Sequence, residues 1–188
     1  TKPYVILREL TFKKDDILTP DLISESQGRL ERLGIFGRVK ISTVEKNSDI
    51  ARRTILINVS EKKPRTFRFG AGVTNERALT IRGYLGLGYN NLWGTARSIN
   101  TRLEINNNIG DIAFLEKKAT ARYLEPSLLS TRWRGRINLA FSEDILEIIE
   151  STNQVTILQK LDTDLIVERE LTDHTTFKWT LWSQSQQK

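Results

Sequence analysis

The sequence predicts an α+β module over residues 1–64 followed by an all-β module over 65–188, the second built of about seven antiparallel strands long enough to cross a membrane as a partial barrel. Three observations carry this reading. Apolar residues recur at helical spacing in two short stretches of the first third, then switch to a period of two. From Thr66 onward the odd-numbered positions are apolar far more often than the even ones. The alternating stretches mostly run roughly 8 to 15 residues, whereas strands of soluble sandwiches usually have about 5 to 6 and a membrane-crossing strand needs about 9 to 11.

Composition sets outer limits. The balance of 38% hydrophobic and 28% charged residues in 188 would pass for a soluble chain. No run approaches the roughly 18 to 20 apolar residues of a membrane-spanning helix, so helical insertion is excluded. A barrel is not, because its strands average out to modest hydropathy. The net charge of +6 comes from 13 basic against 9 acidic residues over 1–64 and 16 against 14 over 65–188. That is too even for the clustered basic face of a nucleic-acid binder, and nucleic acid is not expected as a partner. The absence of cysteine excludes a disulfide framework or thiolate metal site and is compatible with an oxidising compartment. With no methionine, the chain is expected to be a processed product or a piece of a longer one, so the missing signal peptide says nothing of localisation.

Pro3 suits a first helical turn, and Val5, Ile6 and Leu10 can share one face of a short helix within 1–11. Asp15-Asp16 marks a turn. Thr19 can cap a second helix with Pro20 at its first position and Asp21 beside its positive end. Leu22, Ile23, Leu30 and Leu33 then recur at helical spacing until Gly34, a natural left-handed stop. Residues 38–45 and 53–61 alternate around the turn-rich Lys46-Asn47-Ser48-Asp49, which predicts a half-buried hairpin. Such a hairpin is expected to need at least one further strand.

The stretch ESQGRLERLGIFGRVKISTVE, with a later strand closing in VSEKKP, resembles the second half of a POTRA domain, the periplasmic module that precedes BamA- and TamA-like barrels. Leu33, Gly34, Phe36, Val39, Val59 and Glu61 match that pattern in order. Taken singly, Gly34 is a helix stop and Phe36 a core residue; the signal lies in the order. The resemblance implies a strand before the first helix, and the domain is expected to lack it at its N-terminus.

In the remaining two thirds Phe67, Phe69, Ala71 and Val73 alternate with Arg68, Gly70 and Gly72, and Leu79, Ile81, Leu85, Leu87 and Tyr89 alternate with Thr80, Arg82, Tyr84 and glycines. Ile99, Leu103 and Ile105 face away from Arg102 and Glu104, while Trp133, Ile137, Leu139 and Phe141 face away from Arg132, Arg134, Arg136 and Asn138. Strands are also expected over 155–171, with a Leu161/Leu165/Val167 face, and around Phe177, Trp179 and Leu181. The strand 112–123 is the weakest, with Lys117 on its apolar face. Tyr89, Trp93, Tyr123, Trp133, Trp179 and Trp182 near strand ends fit interfacial girdles, or equally an ordinary core.

RFGAGVTNERALTIRGYLGLGYNNLWGTARSINTRLEI is similar to the opening strands of BamA/TamA-like barrels, with Asn91, Leu92, Trp93 and Gly94 matching a short turn after a glycine-rich second strand. YLEPSLLSTRWRG and LTDHTTFKWTLW look like later periplasmic turns. The resemblance covers nearly the whole chain. It departs from the family in lacking the Arg-Gly-Phe-type motif of a late loop; Ile81-Arg82-Gly83-Tyr84 imitates that motif in letters only. The family barrel has roughly sixteen strands, within the bacterial range, and seven cannot close one.

Nothing here assembles an enzyme. His174, the sole histidine, lies in a polar turn, and the acidic cluster Glu143, Asp144, Glu147 and Glu150 is expected to form a short helix or irregular external loop. No phosphate-cradling glycine loop is present, and no cofactor or metal is expected. The resemblance implies a bacterial outer-membrane protein with its POTRA part in the periplasm. Its implied work is assisting insertion of β-barrel proteins or translocation of secreted ones. Partners would be outer-membrane lipid, unfolded client proteins, and accessory assembly subunits or another half-barrel chain. Strand addition would occur at the hairpin and at strand 66–74, the client edge bearing Phe67, Phe69, Ala71 and Val73. Gly70 and Gly72 are expected to weaken the pairing of that strand. The competing expectation is a passive pore, its lumen lined by Arg82, Arg102, Arg132, Arg134 and Arg136. A soluble β-rich binding module is the third.

Overall fold

The computed structural model describes residues 1–44, 53–75, 79–109, 114–149, 154–172 and 175–187. The chain divides into two compact units, one of Thr1–Pro64 with Asn90–Ala96, the other of Arg65–Tyr89 with Arg97–Lys188.

In the first unit, helix α1 (Pro3–Leu7) starts on its proline and buries Val5. Helix α2 (Pro20–Arg32) starts at Thr19, whose hydroxyl accepts the Leu22 N–H at 3.4 Å, with Asp21 in the first turn and Arg29 and Arg32 in the last. It stops where Gly34 enters the left-handed region at φ +73°, its N–H donating to the Glu31 carbonyl. Strands β1 (Phe36–Thr43) and β2 (Ile55–Glu61) pair antiparallel, Val39 opposite Val59 and Ile41 opposite Ile57, with an irregularity between Phe36 and Arg38. The predicted turn Lys46 to Asp49 lies outside the described residues. Among the described residues this sheet has two strands, in the helix-helix-strand-strand order expected of a domain that lacks its first strand. Helices do the covering instead: Val5 and Leu30 reach zero exposure in one cluster with Ile35, Phe36, Val39, Ile41 and Ala96. A hairpin that packs against helices has no need of a third strand to bury its face. The buried Ser26 hydroxyl is satisfied by Thr11, whose N–H donates to it at 3.0 Å.

The second unit is a seven-stranded antiparallel meander in chain order: β3 (Arg65–Thr74), β4 (Thr80–Leu92), β5 (Arg97–Asn108), β6 (Phe114–Glu125), β7 (Arg134–Ile149), β8 (Gln154–Thr172) and β9 (Thr175–Gln187). A short 3-10 turn, Leu128–Ser130, joins β6 to β7. Large apolar side chains at odd positions stand exposed along the whole sheet, from Phe69 at 74% through Leu85, Leu103, Leu139 and Leu161 to Leu181. Monomeric soluble domains rarely leave an apolar face of this extent uncovered.

Two expectations change here. The acidic segment is neither helix nor loop, because β7 runs through it to Ile149, paired with β8. A register shift between Ile145 and Glu147 resets the alternation, which is why the period of two looked broken. Glu150 lies outside the described residues. Lys117, out of place on an apolar face, stands directly opposite Glu143 and pairs with it at 3.2 Å. The polar face in turn buries two apolar side chains, Leu158 and Ile166, each 8% exposed. β9 continues past its predicted apolar face into Ser183, Ser185 and Gln187, where the alternation is lost.

Candidate functional site

Three groups of residues carry the functional expectations. The first lies within the first unit. Leu33 caps α2, Gly34 supplies the left-handed stop, Phe36 and Val39 are buried, and Val59 packs against that core. Glu61, at the end of β2, does more than close a strand. Its Oε2 accepts from Asn91 Nδ2 at 3.1 Å. Asn91 Nδ2 also donates to Thr1 Oγ1 at 2.9 Å, while Asn91 Oδ1 accepts the Ala96 N–H at 2.9 Å. Nearby the Lys2 N–H donates to the Gly94 carbonyl at 2.8 Å, and the Asn90 N–H to the Pro64 carbonyl at 2.7 Å. Asn91, Trp93, Gly94 and Ala96 all have positive φ, so the turn is tightly wound. At Gly94 a Cβ would come within 3.3 Å of the Lys2 nitrogen, so glycine is needed for close approach as well as for φ.

The second group is β3. Phe67, Phe69, Ala71 and Val73 stand on one face, opposite Leu87, Leu85, Gly83 and Ile81 of β4. The Phe67 and Phe69 rings lie 5.8 Å apart. The ladder to β4 runs unbroken from Arg65↔Tyr89 to Thr74↔Thr80, so the glycines do not interrupt it. At Gly70 the reason is visible: a Cβ there would sit 2.5 Å from Tyr84 Cε1, so the Tyr84 ring fills the place of the missing side chain. On its other side β3 pairs with no strand among the described residues.

The third group is the polar face of the large sheet. Arg102 lies over the Tyr84 ring at 4.0 Å and pairs with Glu104. Arg134 pairs with Glu170 at 3.2 Å and Arg136 with Glu168 at 3.4 Å. Arg82 stands opposite Gly72, and Arg132 sits in the bend before β7, not in a strand. The arginine row is thus partly neutralised by carboxylates that attracted no notice in the sequence. A pocket of about 430 Å³ opens instead over β3 to β8, lined among others by Arg68, Arg102, Lys118, Arg122, Asn138 and Asp164, with Gly86 and Gly88 in its wall. Sequence reasoning missed Arg68, Lys118 and Arg122, although each is an even-numbered cation in an alternating strand. His174 lies outside the described residues.

Residues 1–62 match the POTRA family, described as surface antigen variable number repeat. No curated protein matches the chain. Among solved structures, BamA from Haemophilus ducreyi lacking POTRA domains 1–3 superposes with a TM-score of 0.64 at 16% identity, over 98% of this chain and 33% of that one. CdiB from Acinetobacter baumannii superposes with a TM-score of 0.69 at 15% identity, over 97% of this chain and 35% of that one. The chain spans about a third of the length of these two structures. At such identities the likeness concerns the fold: a POTRA module followed by part of a β-barrel of the kind found in BamA and CdiB.

Proposed function

We propose that this chain, a POTRA module (1–64) running into the strands of a BamA-like barrel (65–188), works at the bacterial outer membrane by adding strands to β-barrel or secreted client proteins. The observation that carries the reading is β3. It is an open-edged strand with an exposed apolar face, and it follows the POTRA strand β2 after only Lys62, Lys63 and Pro64. An open edge presents a row of unpaired N–H and C=O groups that an incoming strand can satisfy. In this reading the odd face meets lipid, the even face lines the lumen, and the POTRA part stands in the periplasm. The work is mechanical, with no catalytic group and no cofactor.

Cysteines placed singly at Phe67, Phe69, Ala71 and Val73 should form cross-links to a nascent client or to a partner strand. A properly inserted protein whose β3 cysteines cross-link to neither would sink the proposal. One observation favours a second reading, a passive pore: Arg68 and Lys118 line the polar-face pocket with no carboxylate partner recorded for either among the described residues. In that case planar-bilayer currents should be anion-selective and drop on Arg68→Gln, with client assembly untouched.

A further inference from the structure

One row of residues across three strands breaks the apolar face at the end where β6 turns into β7 and β8 into β9. The register places Arg134 opposite Glu168, and Arg169 opposite Phe177. Trp133, the residue immediately before β7, thus lies next to Arg169 of β8 and Phe177 of β9, all at odd positions. The indole of Trp133 and the ring of Phe177 meet edge to face at 5.8 Å, and the Arg169 guanidinium lies 5.5 Å from the Trp133 ring centre. A half-buried cation is thus held beside two aromatic rings on the outward face.

Arg97, one row nearer the strand centres, offers a contrast. It also points outward, but it is neutralised by Glu125 at 2.6 Å, and Glu125 accepts from the Tyr123 hydroxyl as well. No carboxylate pairs with Arg169 among the described residues. A guanidinium on an apolar face without a counter-ion is costly unless one arrives from outside the chain.

The depth of the row says what that counter-ion is. Beyond the Arg97–Glu125 pair, the far polar outward row is Lys117, Glu143 and Gln159, and Glu143 lies ten residues along the chain from Trp133. Ten residues span about 33 Å along a strand, or about 25 Å across a bilayer at barrel tilts, which is the height of a barrel's apolar band. The two rows bracket that band, with the mutually neutralised Arg97–Glu125 pair one row inside its near end. Arg169 then sits at headgroup level, where indoles also concentrate. We propose that Arg169, with Trp133 and Phe177, forms a site for the phosphate of an anionic phospholipid headgroup. The planar guanidinium can donate two parallel N–H bonds to a phosphodiester, and the rings flank the acyl-glycerol region.

This inference rests on the odd face meeting lipid, so the test reads the two separately. Brominated-lipid quenching of tryptophan in the intact protein, reconstituted in vesicles, reports whether acyl chains reach that face; absence of quenching would sink the membrane reading itself. Native mass spectrometry in detergent with equal phosphatidylglycerol and phosphatidylcholine then reads the site. The wild type should retain phosphatidylglycerol preferentially. Arg169→Gln should lower that retention about fivefold, the worth of one interfacial cation, and Arg169→Lys should keep part of it. Lys178→Gln, on the polar face, should change nothing. Inorganic phosphate should fail to displace the lipid. Quenching accompanied by equal retention in wild type and Arg169→Gln, or displacement by inorganic phosphate, would overturn the site and leave the membrane reading standing.

Discussion

Asn91 combines a left-handed backbone with an amide whose two ends are both engaged, Oδ1 inside its own turn and Nδ2 on Glu61 and Thr1. Asn91→Ala should therefore lose these hydrogen bonds and strain φ together, costing about 1 to 3 kcal/mol. Asn91→Gly keeps the backbone and should recover part of that, as read by hydrogen exchange in β1 and α2. Gly70 admits a still simpler test. Gly70→Val places atoms where the Tyr84 ring lies, and an overlap of this kind costs about 1 to 3 kcal/mol. Urea midpoints in detergent should show the loss, and Gly70→Val with Tyr84→Ala should restore part of it. The sequence revealed Gly70 as a glycine in a strand, but its partner fourteen residues on depends on the register, which alternation alone does not set.

At the scale of elements, local chemistry was readable and distant pairing was not. The cap at Thr19, the proline starts of both helices and the stop at Gly34 all act within one turn, so the residues announce them. The period of two from Thr66 onward announced the strands. It failed at the acidic segment because a bulge shifts the phase, and it made Lys117 look misplaced because Glu143 lies on another strand. The Asn91 to Glu61 hydrogen bond was equally hidden, since the matched turn signalled only a bend. For the outward-facing pair, Lys117→Leu alone leaves the Glu143 carboxylate without its lysine. It should destabilise more than Lys117→Leu with Glu143→Leu, by about 1 kcal/mol or more, in the same urea measurement. Spin labels at Leu85 and Leu139 should report lipid, and one at Arg134 water; the reverse pattern would remove the barrel reading.

For the whole molecule, a membrane-length sheet whose first and last strands each have one unpaired side is unstable by itself, since lipid cannot hydrogen-bond the orphan groups and each costs several kcal/mol. The 188-residue chain in detergent should therefore associate through β3 or β9. Sedimentation should show oligomers, and disulfides between cysteines at Phe69 or Phe177 of different copies should locate the contact. A stable monomer with both edges reactive to small thiol reagents would argue against strand addition as the mechanism. The polar end of β9, Ser183 to Gln187, fits an edge that does not face acyl chains along its full length.

Beyond the Lys117 to Glu143 pair β6 stays with β5 but no longer pairs with β7, and beyond Gln159 to Gln187 no pairing of β8 with β9 is seen among the described residues, while β7 and β8 stay paired as far as Ile149 and Gln154. That leaves a two-stranded ribbon roughly 20 Å long, farther out than any acyl chain reaches in the arrangement proposed above. In that arrangement the ribbon would be open to reagents added from outside the cell. Ile157→Cys on this ribbon should react with a membrane-impermeant maleimide added to whole cells, and Leu165→Cys, within the apolar band, should stay silent until the membrane is dissolved. Immune serum raised against residues 144–158 should likewise stain unbroken cells.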